Sequence, residues 1–228
     1  MPWEARALTG TVEELHSRSW EICLASGRAQ RLVHVLRPID RALVIGSAQP
    51  EQIVDRAACT DAGAQVVRRR SGGGAVLVEP GSMVWVDLFV PSGDPLWSVD
   101  VGRAMWWVGE TWARALGASG LASAQVSKGP MLARPWSSLV CFAGVGAGEV
   151  TVAGGRKVVG ISQRRARSGA LFQCGCLLRW EPARLLRLLA MAPGERLAAS
   201  SALGELAAGA GDDRGEEILD QLLDALPV

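Results

Sequence analysis

The chain has 228 residues, with 24 Lys and Arg against 23 Asp and Glu and a formal net charge of +1, a length that suits one domain with a substantial core rather than two independent ones. Near neutrality removes any global field for nucleic acid or an anionic membrane. No apolar run reaches the roughly 18 residues of a spanning helix, and Met1-Pro2-Trp3-Glu4 lacks the segments of an export signal, so the cytoplasm is the expected location. The cysteines, Cys23, Cys59, Cys141, Cys174 and Cys176, are odd in number and lack C-x-x-C spacing. With only His16 and His34 beside them, no metal site is expected. Arginine supplies nearly every cation, and the two lysines, Lys128 and Lys157, stand out as places where a compact ammonium is used.

Residues 11–25 open with Thr11-Val12-Glu13-Glu14, a capping-box pattern, and set Val12, Leu15, Ile22 and Cys23 near one face of an amphipathic helix. Residues 31–37 and 41–45 read as extended pieces broken by Pro38-Ile39-Asp40. Gly46-Ser47-Ala48-Gln49-Pro50 ends the second, and a short helix over residues 51–62 leads to a strand over 64–67. Next comes Arg68-Arg69-Arg70-Ser71-Gly72-Gly73-Gly74-Ala75-Val76. Three consecutive glycines lose much backbone entropy on folding, so they mark positive φ or a ligand lying against bare backbone. Exposed amides there can cradle an anion; a flexible turn beside a solvated arginine cluster is the other reading.

Residues 83–90 are nearly continuous apolar sequence, suited to a buried strand. A turn over 91–95 precedes a helix over 99–116, whose Met105, Trp106, Val108, Trp112 and Leu116 suit core packing. Residues 117–135 read as loops. Residues 149–152 and 157–162 form a hairpin turned by Ala153-Gly154-Gly155-Arg156, a strand follows over 171–180, and helices over 182–191 and 216–226 flank a Gly/Ala-rich connection. Hairpins with interspersed helices predict a single α+β domain over residues 1–228, with a mixed, largely antiparallel sheet flanked by helices. The glycine run fits neither the dinucleotide nor the P-loop spacing.

Lys157 follows the hairpin turn in the string Gly155-Arg156-Lys157-Val158-Val159-Gly160-Ile161-Ser162-Gln163-Arg164. An ammonium at a strand end can meet a carbonyl or phosphate oxygen and stabilise charge that develops on it; a solvated surface charge is the plainer alternative. Taken with the glycine run roughly 90 residues earlier, this string resembles the biotin/lipoate protein ligase superfamily, in its lipoate-ligase and octanoyltransferase branch. The resemblance implies an acyl pocket walled by Arg68, Arg69, Ser71, Gly72, Gly73, Gly74, Ala75, Val76 and Gly160, with Lys157 on the acyl carbonyl. It also implies transfer of a lipoyl or octanoyl group to a lysine of a lipoyl carrier domain, of a 2-oxoacid dehydrogenase or a glycine cleavage protein. Biotin is a less favoured acyl group.

Two departures bear on the mechanism. Val78 stands where the family often has histidine, and the chain is expected to lack the small C-terminal accessory domain of many lipoate ligases. One subgroup carries the acyl group on a cysteine shortly before the lysine hairpin, and Cys141-Phe142 matches it, 16 residues before Lys157. The resemblance thus implies Cys141 as nucleophile, taking the acyl group from an acyl carrier protein without ATP. A cysteine between Val140 and Phe142 also reads as a small buried residue. The alternatives are a ligase using ATP and Mg through an acyl-adenylate, a non-catalytic acyl-binding homologue, and, third, a nucleic-acid role for residues 68–70 with Arg164, Arg165 and Arg167.

Overall fold

The computed structural model describes residues 1–25 and 30–228. β1 (Trp3–Gly10) lies parallel to β2 (Arg31–Pro38), with α1 (Val12–Ala25) between them in sequence. The capping box closes as read: the Glu14 carboxylate accepts from Thr11 N–H at 2.9 Å, and the Thr11 hydroxyl accepts from Glu14 N–H at 3.3 Å. β3 (Arg41–Ile45) and β4 (Ala64–Arg68) are parallel through α2 (Arg56–Asp61), and β5 (Val76–Val78) adds antiparallel to β3. The glycine run is therefore the link from β4 to β5.

β6 (Met83–Pro91), α3 (Val101–Ala104), α4 (Trp106–Ala118), β7 (Gln125–Val126), β8 (Val150–Val152), β9 (Arg156–Ala166) and β10 (Gly169–Leu177) follow, then α5 (Pro182–Leu186), α6 (Pro193–Gly204) and α7 (Gly215–Asp224). The main sheet runs β1-β2-β6-β10-β9-β8-β7 and is antiparallel except for β1 with β2. The fold is the α+β class expected.

The expected helix over 182–191 ends at Leu186, that over 99–116 divides into α3 and α4, and β7 lies within the expected loops over 117–135; three further elements differ for a local reason. β1 lacks an alternating apolar pattern because it is an edge strand that buries only Leu8 and Gly10. The Gly/Ala-rich connection contains α6, which opens on Pro193 and buries only Ala199 and Leu203, too few positions to set a helical periodicity. The helix expected over residues 51–62 divides into a 3-10 turn (Glu51–Ile53) and α2, because the Asp55 carboxylate caps Ala58 N–H at 2.9 Å and starts a new helix.

One face of the main sheet, with Val84, Val86 and Leu88, packs on α4 and α7 through Val108, Trp112, Ile218 and Leu222. The opposite face presents Trp85 and Leu36 to Val12 and Leu15 of α1 and to Ala42 and Val44 of the small sheet. A cavity opens beside that second cluster. The ends of the described chain are tied by Arg31, only 1% exposed, whose Nε and Nη2 donate to the Asp94 carboxylate at 2.9 and 3.0 Å. Its Nη1 and the Trp3 indole both donate to the Pro227 carbonyl, at 2.9 and 2.8 Å.

Removing one member of such a pair leaves a buried charge without its counter-ion. Asp94→Ala is expected to lower stability by about 3–5 kcal/mol, read as a lower guanidinium midpoint at unchanged slope. A loss below about 1 kcal/mol would mean that the pair is no better than a surface bridge.

Candidate active site

Two of the three glycines answer to a structural constraint, each a different one. A Cβ on Gly74 would sit 2.5 Å from the Val140 carbonyl carbon, so the strand end and the Val140–Cys141 backbone meet only because position 74 is bare. Gly73, at φ 94°, would press a Cβ to 2.9 Å from Arg69 Nη2 and 3.7 Å from Cys141 Sγ. Gly72 faces open space.

The arginines look inward. Arg69 donates to the Gly72 carbonyl at 2.9 Å and the Gly74 carbonyl at 2.8 Å, while Arg68 Nη1 donates to the carbonyls of Gly46, Ser47 and Gln49 at 3.0, 3.3 and 2.7 Å. Both guanidiniums thereby fix backbone rather than stand free for an anion. Among the described residues, no acceptor faces the amides of Gly73 and Gly74.

Gln49, which the sequence reading treated as part of a turn, joins that turn to the cysteine segment. Its Oε1 accepts from Gly46 N–H at 2.9 Å, and its Nε2 donates to the carbonyls of Ser138 and Leu139 at 2.9 and 3.1 Å. Ala75 N–H donates to Leu139 O and Cys141 N–H to Ala75 O, at 2.7 and 3.0 Å, so Cys141 is stitched beside the glycine run. Just upstream Trp136 holds φ 70°, the one non-glycine residue with positive φ among those described, and its carbonyl accepts from both Leu139 and Val140. Such a conformation persists only where its surroundings over-determine it.

Lys157 sits at the start of β9 and is 1% exposed. Its backbone is bonded to Leu206 and Ala208, just after α6, so the helix missed in sequence helps to place it. Its Nζ donates to the Cys141 carbonyl at 3.0 Å and the Gly144 carbonyl at 3.1 Å, and pairs with Glu149 Oε2 at 2.7 Å, with the Phe142 ring 5.0 Å away. Glu149 in turn accepts from Gly146 N–H at 2.6 Å and Ile161 N–H at 3.1 Å. One buried ion pair therefore holds both ends of the loop that follows Cys141. Glu149 went unnoticed in sequence because a lone carboxylate beside a strand carries no motif.

The resulting cavity, of about 250 Å³, is shared by Cys141 and Lys157. Of the other residues the motifs single out, Arg69, Gly72, Gly73, Gly74, Val76 and Gly160 line it, whereas Arg68, Ser71 and Ala75 do not. Val78 also lines the wall, and the histidine that reaches this space is His16, from α1. The other cysteines are buried. Burial pushes the thiols of Cys23 and Cys176 up to about 12 and raises Cys59 and Cys174 as well. No group of three or more His, Cys, Asp or Glu side chains arranged for a metal ion occurs among the described residues. No helix there is long and apolar enough to cross a membrane.

Next to the Trp85 end of the cavity runs a polar seam. Asp87, fully buried, accepts from the Trp85 indole at 3.1 Å and from Gln173 Nε2 at 3.3 Å, and on the neighbouring strand His34 Nδ1 shares a 2.9 Å hydrogen bond with the Ser19 hydroxyl. Burial raises the Asp87 carboxyl to about 7, against the pull of hydrogen bonds from Ser19, Gln173 and Trp85. Burial likewise holds His16 and His34 down at about 4, with Arg69 adding to the effect on His16.

The chain matches the sequence model of the lipoyl protein ligase A/B catalytic domain over residues 19–202. Among solved structures it is similar to lipoate-protein ligase A bound with ATP, at 20% identity and TM-score 0.73, covering 98% of this chain and 82% of that one. It is similar as well to the bipartite lipoate protein ligase of Thermoplasma acidophilum, studied with its E2 lipoyl domain, at 18% identity and TM-score 0.76, again with 98% and 82% covered. A third is Ta0514, a lipoate protein ligase candidate from T. acidophilum with bound lipoic acid, at 19% and TM-score 0.73, covering 99% and 84%. No curated protein matches. The architecture is thus the catalytic fold of the lipoate-ligase class of enzymes. The match over most of its length places this chain in the lipoyl protein ligase A/B catalytic-domain family, and it is an enzyme of lipoyl-type group transfer.

The polar seam gives a pH signature. An Asp ionises near 3.9 when unfolded and near 7 in this fold, so its contribution is full below the unfolded value and lost as pH rises through 7. The two histidines run the other way, full above about 6.5 and lost as pH falls towards 4. The stability difference between Asp87→Asn and the parent isolates the first effect: from about pH 4 to pH 8 it is expected to move in favour of the variant by up to about 4 kcal/mol. A difference that stays flat across this range in denaturant titrations would contradict the assignment.

Proposed function

We propose that this enzyme moves an octanoyl or lipoyl group from a carrier thioester to a lysine of a lipoyl carrier domain by way of a thioester on Cys141, without ATP. The observation that carries the reading is the position of Cys141 in a shared cavity. Its Sγ stands against the bare Gly73 position while Lys157 donates to its own carbonyl. The remaining cysteines are buried.

In the first step the Cys141 thiolate attacks the donor's carbonyl carbon. A C–S bond forms, the bond to the carrier sulfur breaks, and the carrier leaves as a thiolate that takes up a proton. In the second, the neutral ε-amine of the acceptor lysine attacks the same carbon, loses a proton as the amide forms, and returns the sulfur to Cys141. Each step concentrates negative charge on the acyl oxygen. The unclaimed amides of Gly73 and Gly74 suit that oxygen, and preorganised donors in a water-poor cavity lower the barrier most where charge develops. The Lys157 ammonium, paired with Glu149, positions the nucleophile's turn.

The donor fits an acyl carrier protein, and the acceptor a lipoyl domain of a 2-oxoacid dehydrogenase or of a glycine cleavage protein; a relative studied with its E2 lipoyl domain supports the kind of acceptor. A second reading, an ATP- and Mg-dependent ligase working through an acyl-adenylate, draws on the likeness to lipoate-protein ligase A bound with ATP. A non-catalytic binding role fits less well with a nucleophile and a buried ammonium meeting at one cavity.

Intact mass of an apo lipoyl domain after incubation with octanoyl carrier protein, or with lipoate and ATP, separates the readings. The thioester route predicts an acyl adduct without ATP, with both the acyl-enzyme and the transfer lost in Cys141→Ala. Transfer that survives in that variant and requires ATP assigns the ligase route, and no adduct under either condition defeats both.

A further inference from the structure

A row of three residues across three strands lies on the floor of the cavity. Trp85, Gly175 and Gly160 are partners in register from β6 through β10 to β9, and all three line the cavity. Gly175 and Gly160 are bare side by side on that floor, with the Met83 sulfur 3.4 Å from where a Gly175 Cβ would lie. At one end Phe142 Cζ and Lys157 Cε stand 3.3 and 3.5 Å from where a Gly160 Cβ would lie. At the other end the His16 ring packs on Trp85, with centroids 4.7 Å apart and planes at 54°. Two inter-strand spacings separate these ends, about 10 Å. The reacting carbon belongs beside Cys141 and Lys157, so a chain laid along the glycines reaches His16 with its far end.

That far end is walled by Val44, Val76, Val78 and Met83, and its other polar side chains are engaged within the fold, Arg69 on the carbonyls of Gly72 and Gly74 and Gln173 on Asp87. Within it, among the described residues, the His16 imidazole has no hydrogen-bond partner, and it lies against the Trp85 face and near the charge of Arg69. Burial first, and Arg69 second, keep the ring neutral through the physiological range. A neutral imidazole offers one N–H donor and one acceptor nitrogen. A polar group facing an apolar cavity favours the ligand that pairs with it over the ligand that merely covers it.

We infer that His16 is a specificity-determining residue, selecting acyl groups that carry a hydrogen-bonding heteroatom, sulfur or oxygen, near the distal end of the chain over plain alkyl chains of the same length. The inference rests on the acyl-transfer reading above and adds the choice of acyl group, so that a lipoyl group is preferred to an octanoyl one. A plain chain leaves the imidazole desolvated and unpaired, while a dithiolane sulfur or a terminal hydroxyl meets it.

The test is calorimetric binding of free lipoate, octanoate and 8-hydroxyoctanoate to the parent, to His16→Leu and to His16→Gln, with thermal unfolding to confirm that each variant is folded. The parent is expected to prefer lipoate and 8-hydroxyoctanoate to octanoate. His16→Leu should reduce both preferences by about threefold to tenfold, the worth of one neutral hydrogen bond, and His16→Gln, which keeps a donor, should retain part of them. Ratios that do not move in His16→Leu, a parent that prefers octanoate, or a parent that binds none of the acids would each overturn the inference. Octanoyl transfer by the parent alongside any of these results would leave the acyl-transfer reading standing, whereas absence of all transfer would remove that reading separately.

Discussion

The arrangement of this site depends on one buried ammonium. Lys157 sends its three protons to the carbonyls of Cys141 and Gly144 and to the Glu149 carboxylate, and Glu149 uses its remaining acceptor capacity on the amides of Gly146 and Ile161. An ion pair this deep is not a source of stability in itself, because desolvation offsets most of the attraction. Its consequence is geometric: with the three ammonium protons and both carboxylate oxygens engaged by residues 141–149 and Ile161, the segment after Cys141 is pinned across the start of β9. The retained lysine in a chain of arginines makes sense on this ground, since a compact, tetrahedral ammonium reaches three acceptors in different directions that a planar guanidinium does not.

A second set of bonds brings the glycine run to that fixed turn. Arg69 folds back on the carbonyls of Gly72 and Gly74, Arg68 and Gln49 lock residues 46–49, and Gln49 reaches on to Ser138 and Leu139. The small sheet and the cysteine segment are thereby held as one wall, and the bare backbone at positions 73 and 74 lets that wall close to van der Waals distance. The arginines that looked like ligand groups in isolation act as struts. What stays open for a ligand is the exposed position of Gly72, the free amides beside it and the glycine-floored channel over β9 and β10.

Much of this was legible in the sequence, and the rest was not, for identifiable reasons. The glycine run and the Gly155–Gly160 neighbourhood announce themselves because backbone geometry demands a rare residue at fixed places, and the capping box of α1 is a local hydrogen-bond pattern. Cys141 was singled out by the resemblance to a subgroup that carries Cys-Phe shortly before the lysine hairpin. Glu149 and Gln49 escaped notice because their partners lie in backbone groups brought near only by folding. The Arg31 and Asp94 pair joins residues 63 apart in sequence, and no periodicity reports it. His16 reads as one polar position on an amphipathic helix until the sheet shows that α1 turns it towards Trp85. β1 and α6 were missed where exposure at an edge, and a helix with only two buried positions, Ala199 and Leu203, left no apolar rhythm like that of the other elements.

The central claim is that the Lys157 ammonium, through Glu149 and the two carbonyls, holds the Cys141 turn in place. Site-resolved amide hydrogen exchange in the parent and in Lys157→Met tests it most directly, because local opening is reported residue by residue. The account predicts that residues 141–149 lose protection in the variant while β6 and β10 keep theirs. Protection of residues 141–149 that survives the loss of the ammonium would contradict it.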